Sequence, residues 1–154
     1  MDETFEFLYA AEKDPHDSRQ PEKAIDYYKA GRRALQRQDW AEAVRTLTLA
    51  ARFGRGWSRP YSARGWAYAE QGQYQKAIAD CNKAILINPQ NSYAYNNRGL
   101  AYQRTGDLFR GKRDYAKACE MGLKTACRNL EEFHLDKPPA HDNQSREAQP
   151  HHEH

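Results

Sequence analysis

The stretch that decides the fold is Ser58–Asn91, SRPYSARGWAYAEQGQYQKAIADCNKAILINPQN, because its pattern recurs on both sides at a fixed interval. Tyr61 and Gly65 have counterparts 34 residues upstream in Tyr27 and Gly31, and 34 residues downstream in Tyr95 and Gly99. Arg64 and Arg98 precede two of the glycines, and Tyr68 and Tyr102 follow three residues later. Ala43 and Ala77 form another series, and Ala50, Ala84 and Ala118 a third. Self-similarity at a period of about 34 residues is the mark of stacked helix–turn–helix units, none of which can bury its apolar face alone. Small residues at the recurring positions let helix backbones approach closely, and the aromatics fill the gaps. The phase predicts helix pairs at 24–37 and 40–53, 58–71 and 74–87, and 92–105 and 108–121. Gly72 and Gly106 fall at the ends of first helices, where a left-handed backbone is needed, and Pro89 cannot continue the helix before it.

These residues resemble the tetratricopeptide repeat, whose pattern runs W-x2-L-G-x2-Y, G-x-Y, A-x3-F, A and P. In the second unit Tyr61 stands for the Trp, Arg64-Gly65 for Leu-Gly, and Tyr68, Gly72, Tyr74, Ala77, Ala84 and Pro89 fall in register, with Cys81 in place of Phe. The third unit carries Tyr95, Gly99, Tyr102, Gly106, Tyr115 and Ala118, with Gly111 where Ala is usual and no closing Pro. The first keeps Tyr27, Gly31, Trp40, Ala43 and Ala50, but has Ala34 for Tyr and Arg55 for Pro. The resemblance implies an all-α helical-repeat solenoid, a right-handed superhelix of three repeats (24–57, 58–91 and 92–125), with a capping helix over 126–135. Ala126, Leu130 and Phe133 supply that helix with an apolar stripe that covers the last repeat's exposed edge.

Charge divides the chain. Residues 1–23 carry seven acids against three bases, and 136–154 four acids against two, while 24–135 carry 19 bases and 10 acids. A basic array between acidic ends attracts acidic partners; a solvated surface that serves solubility is the equal alternative. Phe5, Phe7 and Tyr9 among Glu3, Glu6 and Glu12 predict a short helix packed on the first repeat, or a segment that occupies the groove of its own or a neighbouring chain. Asp14 to Pro21 reads as a linker, and the stretch from Lys137 onward as a disordered tail. No apolar run approaches a membrane span of about 20 residues, and the acidic start, Met1-Asp2-Glu3, is unlike a signal peptide. The expected location is the cytoplasm.

Solenoids of this kind present a surface that holds another chain. In arrays similar to this one the first helices line a concave groove, and the phase assigns its lining: Tyr28, Arg32 and Leu35, then Arg59, Ser62 and Trp66, then Tyr93, Asn96, Leu100 and Arg104. Trp66 and Leu100 could equally pack as core. Aromatic area and arginine forks suit a peptide with acidic and apolar side chains. Some members of the family clamp the C-terminal carboxylate of heat-shock chaperones with a Lys and an Asn, then an Asn, then a Lys and an Arg. The corresponding residues here are Tyr28 and Arg32, Ala63, and Tyr93 and Asn97, none of which matches, so the resemblance implies no chaperone-tail clamp.

The expected function is a protein–protein adaptor or scaffold. A secretion- or assembly-type chaperone for an apolar client, and a weak nucleic-acid-associated protein acting through the basic body, are the alternatives. No enzyme motif is present: there is no G-x-S-x-G, phosphate loop or H-E-x-x-H. Neither a cofactor nor a small-molecule substrate is expected, and no metal, because the cysteines lack C-x-x-C spacing and four of the six histidines lie in the tail. Cys81 is expected as a buried small hydrophobe. Cys119 and Cys127, in KACEMGLKTAC, look like the K-A-C…C spacing of the related Sel1-like repeats, where such a pair bridges successive helices. In a secreted chain they would form a disulfide; with no signal peptide in view, they are expected as two thiols near each other.

Overall fold

The computed structural model of the chain describes residues 21–135. The expected N-terminal helix over 1–12, most of the linker and the tail from 136 lie outside the described residues. Seven helices follow in order, with no strand among the described residues: α1 (Pro21–Gln36), α2 (Trp40–Phe53), α3 (Ser58–Glu70), α4 (Tyr74–Ile87), α5 (Ser92–Arg104), α6 (Leu108–Glu120) and α7 (Lys124–Leu135). Every helix packs on its sequence neighbours, and the first helices of successive pairs also touch, α1 on α3 and α3 on α5. The result is an all-α helical-repeat solenoid with the first helices forming one layer.

Two helix starts differ from the sequence reading by two residues or more, and four helix ends, at Gln36, Glu70, Arg104 and Glu120, fall one residue short of it. Helix α1 begins at Pro21, inside the expected linker, because a proline's missing N–H has no helical partner in a first turn. The last helix begins at Lys124, two residues earlier than the expected cap. The turns explain the other ends. Gly72 and Gly106 close α3 and α5 with φ of 76° and 87°. In the first repeat the same register holds Gln38, which takes φ 59° without glycine's freedom. Asp39, Asn91 and Asp107 cap the helices that follow them, each accepting a backbone N–H three residues on.

The core is thin and built from alanine. Ala34, Ala43, Ala67, Ala69, Ala77, Ala84, Ala101 and Ala118 are all fully buried. Glycine takes this further where helices cross. A Cβ on Gly65 would lie 2.8 Å from the Cys81 sulfur, and one on Gly99 would lie 3.0 Å from the Gly111 carbonyl oxygen. Cys81 is wholly buried, and burial, the largest cause, pushes its thiol pKa well up. Tyr115 fills the equivalent place in the third repeat. Its hydroxyl donates to Gln103 Oε1 at 2.8 Å, and its ring meets Phe133 of α7 edge-on at 6.4 Å.

Arginine–aspartate pairs tie the second and third repeats internally. Arg64 donates from Nε and Nη2 to both oxygens of Asp80, each at 2.7 Å, while its Nη1 reaches Thr48 of the preceding repeat at 3.0 Å. Thirty-four residues on, Arg98 holds Asp114 at 2.8 Å twice and Asn82 at 2.9 Å. Forked charge-assisted bonds of this kind are the stronger class. The carboxylate beside each guanidinium raises the arginine pKa further against an opposing desolvation. Each guanidinium also lies between two rings, Tyr61 and Tyr68 for Arg64 and Tyr95 and Tyr102 for Arg98.

One expectation is corrected. For the expected cytoplasmic location Cys119 and Cys127 would remain thiols, but the structure joins them in a disulfide from α6 to α7. The reading was drawn from compartment alone. The turn through Gly122 brings the two Cα atoms to 4.6 Å, inside the bridging range.

Candidate functional site

The first-helix layer contains a cavity of about 280 Å³ shared by α1, α3 and α5. Tyr28, Arg32 and Leu35 come from α1, Arg59, Ser62, Ala63 and Trp66 from α3, and Tyr93 and Asn97 from α5. These spacings put each helix's contributors on one face. Repetition does the rest, since Arg59 and Tyr93, and Arg32 and Trp66, occupy the same register one repeat apart.

The walls are fixed by neighbours. Tyr28 packs on Trp57 with ring centroids 4.5 Å apart. Trp66 stands edge-on to Trp40 at 5.7 Å, and its indole N–H donates to Glu70 Oε1 at 3.2 Å. It is therefore core on one side and cavity wall on the other. Beneath the surface a polar seam holds α3 to α5. Asn91 Nδ2 donates to Ser62 Oγ at 3.1 Å and Ser58 Oγ at 3.2 Å, and Asn97 Nδ2 donates to the Ser62 carbonyl at 2.9 Å. The exposed groups are Tyr93, at 61% of its surface, with Arg32 and Arg59. No acid lines the cavity, and Arg32 has no ion-pair partner among the described residues. The mouth is aromatic and positive.

Three of the residues assigned from sequence are not brought to this cavity. Asn96 is buried, and its Oδ1 accepts from Asn129 Nδ2 of α7 at 3.0 Å, so the capping helix uses it. Leu100 packs beside the buried Ala69, Ala77 and Ala101. Arg104 donates to the Ala69 carbonyl at 3.3 Å and to Glu70 Oε1 at 3.2 Å, which spends its charge within the array. The lining assigned from sequence left out Ala63 and Asn97, although their 34-residue spacing was available as a signal. Glu70, in the register of Arg104, was missed too; same-register residues of adjacent first helices are neighbours, so the pair was findable. Among the described residues no group of three or more His, Cys, Asp or Glu could hold a metal ion, and no helix is long and apolar enough to cross a membrane.

Paired antiparallel helices at a 34-residue period, with a shared face formed by their first members, define a helical-repeat binding scaffold. One family model, described as TPR repeat, matches residues 65–106, and a second, Tetratricopeptide repeat, matches 92–121. The chain belongs to the tetratricopeptide repeat family. It is 30% identical over 130 residues to heat shock protein STI1 of Saccharomyces cerevisiae, across 82% of this chain and 21% of that protein. It therefore spans about a fifth of that relative's length. Among solved structures it is similar to the Sgt2 TPR domain from Aspergillus fumigatus, with 26% identity, a TM-score of 0.69, and coverage of 83% of this chain and 92% of that one. It is also similar to the TPR2B domain of yeast Sti1 in its pHsp70 complex, with 25% identity, a TM-score of 0.66, and coverage of 73% and 94%.

Proposed function

We propose that residues 24–135 form a peptide-binding adaptor module that holds a segment of a partner protein in the α1/α3/α5 cavity. The observation that carries this is the convergence of aromatic and arginine side chains from three successive first helices on one opening, with no acid among the described residues of its lining. The pHsp70 complex of the Sti1 domain supports the reading, since a similar array there engages another protein. The ligand here differs in kind from a chaperone tail. Asn97 already donates to a backbone carbonyl, and Tyr28, Ala63 and Tyr93 bring ring and methyl surface rather than amide or ammonium donors. The cavity suits an apolar or aromatic side chain beside a carboxylate, with Arg32 at the acid and Tyr93 over the apolar group. Binding, not catalysis, is the role this assigns.

The test is capture from lysate by the purified chain and by two variants, Arg32→Glu and Tyr93→Ala, both at exposed positions that do not hold the fold together. A partner retained by the parent and lost from both variants supports the groove. Loss of an aromatic anchor typically costs binding about 2 kcal/mol or more. Identical retention by all three proteins refutes it.

A further inference from the structure

The side of α5 turned away from the groove holds a second cavity, of about 640 Å³, which shares no residue with the first. At 3.6 residues per turn, Tyr95, Arg98 and Tyr102 stand roughly half a turn round from Tyr93 and Asn97. Helix α6 forms the facing wall with Arg110, Arg113 and Lys117, spaced three and four residues apart along one stripe.

The charges here are not equivalent. Arg98 is committed to Asp114 and Asn82 and held between two rings. Arg110 lies over Tyr102 at 5.6 Å, with a long 3.5 Å contact to Asp107. Arg113 and Lys117 are exposed and have no hydrogen-bond or ion-pair partner among the described residues. Among the described residues, Glu120 is the one carboxylate in the lining that Arg98 does not engage. Like charges three and four residues apart on a helix repel one another, so the stripe weakens the helix that carries it. The repeat does not require it either. In the second repeat Lys76 stacks on Tyr68 as Arg110 does on Tyr102 and Lys83 matches Lys117, yet Ala79 stands where the third repeat has Arg113, so Arg113 is the charge the third repeat adds.

We propose that this cleft is a second binding site, which takes an acidic segment of a partner polypeptide. Arg113 and Lys117 grip its carboxylates, and Tyr95 and Tyr102 form the opposite wall. Separate carboxylate side chains fit the lining better than a continuous phosphate chain, which would have to run past Glu120.

The probe is a fluorescein-labelled eight-residue peptide of alternating aspartate and glutamate, titrated with the full chain at low salt and followed by anisotropy. Arg113→Gln with Lys117→Gln should weaken binding by about tenfold or more, whereas Lys76→Gln with Lys83→Gln, which removes the same charge from the second repeat, should change it by less than about twofold. Thermal unfolding confirms that the fold is intact if each variant melts no lower than the parent, with a slight rise expected for Arg113→Gln with Lys117→Gln as the like-charge repulsion is relieved. Equal loss from Lys76→Gln with Lys83→Gln would reduce the effect to diffuse surface charge and overturn the site. Tighter binding of a single-stranded oligonucleotide of the same charge, lost in the Arg113/Lys117 variant, would overturn the polypeptide assignment.

Discussion

Replacing Gly99 with alanine sets two effects of known size against each other, and the sign of the result reports on the packing. Propensity alone favours the change, since alanine is better than glycine inside a helix by about 1 kcal/mol. The structure opposes it. A Cβ at position 99 would lie 3.0 Å from the Gly111 carbonyl oxygen, 3.1 Å from Tyr115 Cδ1 and 3.2 Å from Asp114 Cβ, all on α6. None can yield alone: the first is backbone, Asp114 is held by two bonds from Arg98, and the Tyr115 hydroxyl is tied to Gln103. Helix α6 must therefore back away as a unit. Overpacking of this kind costs about 1–3 kcal/mol; allowing for the propensity gain, Gly99→Ala should destabilise by roughly 0–2 kcal/mol, up to several degrees in Tm for a domain of this size. Urea unfolding followed by circular dichroism measures it. Ala79→Gly, at an exposed site on α4, calibrates the propensity contribution separately. A higher midpoint for Gly99→Ala than for the parent would refute the close crossing of α5 and α6.

Other consequences are open to direct measurement. Burial raises the Tyr115 pKa to about 12, so the folded state keeps its proton after the unfolded chain has begun to lose it near pH 10. Stability is intact below about pH 10 and should fall by about 2–3 kcal/mol as pH rises toward 12; a Tyr115→Phe variant losing as much over that window would refute the assignment. Reducing the Cys119–Cys127 bond releases a short loop, and loop entropy puts the loss at about 2.5 kcal/mol; an unchanged Tm in reductant would show that the bond contributes nothing. After reduction these two thiols should alkylate first, with Cys81 labelled only on unfolding, because it is fully buried. Gln38→Gly removes the left-handed strain at φ 59° and should stabilise by about 0.5–1 kcal/mol, read as a higher midpoint in urea.

What could be read from sequence depended on whether the repeat carried it. Helices α2 and α4 end where the phase puts them because Trp40, Ala43, Tyr74 and Ala77 recur at fixed offsets. The start of α1 escaped notice because it precedes the repeat and opens on a proline that also reads as a linker. Gln38 was invisible as a strained residue, since only its register with Gly72 gives it away. At the groove, phase places Tyr28, Arg32, Arg59 and Tyr93 on the shared face. It does not say which of that face's side chains the array consumes. Asn96 is taken by Asn129, a partner 33 residues away on a helix outside the repeats, and Arg104 by Glu70. The cleft between α5 and α6 was seen only as net positive charge, because its form depends on how two helices cross.

The arginine forks have a directional consequence. Arg64 and Arg98 each bind their own aspartate and reach back to a polar group on the repeat before, but the first repeat holds Ala30 and Thr46 at the matching positions. At the far end α7 is fastened by the disulfide and by Tyr115 against Phe133. Because each unit of such an array leans only on its neighbours, amide protons of α1 should exchange with solvent soonest and those of α5 and α6 last. The chain then has a hard end and a soft end. A ligand spanning α1, α3 and α5 would meet a floor already set on the α5 side and would complete the α1 side as it bound.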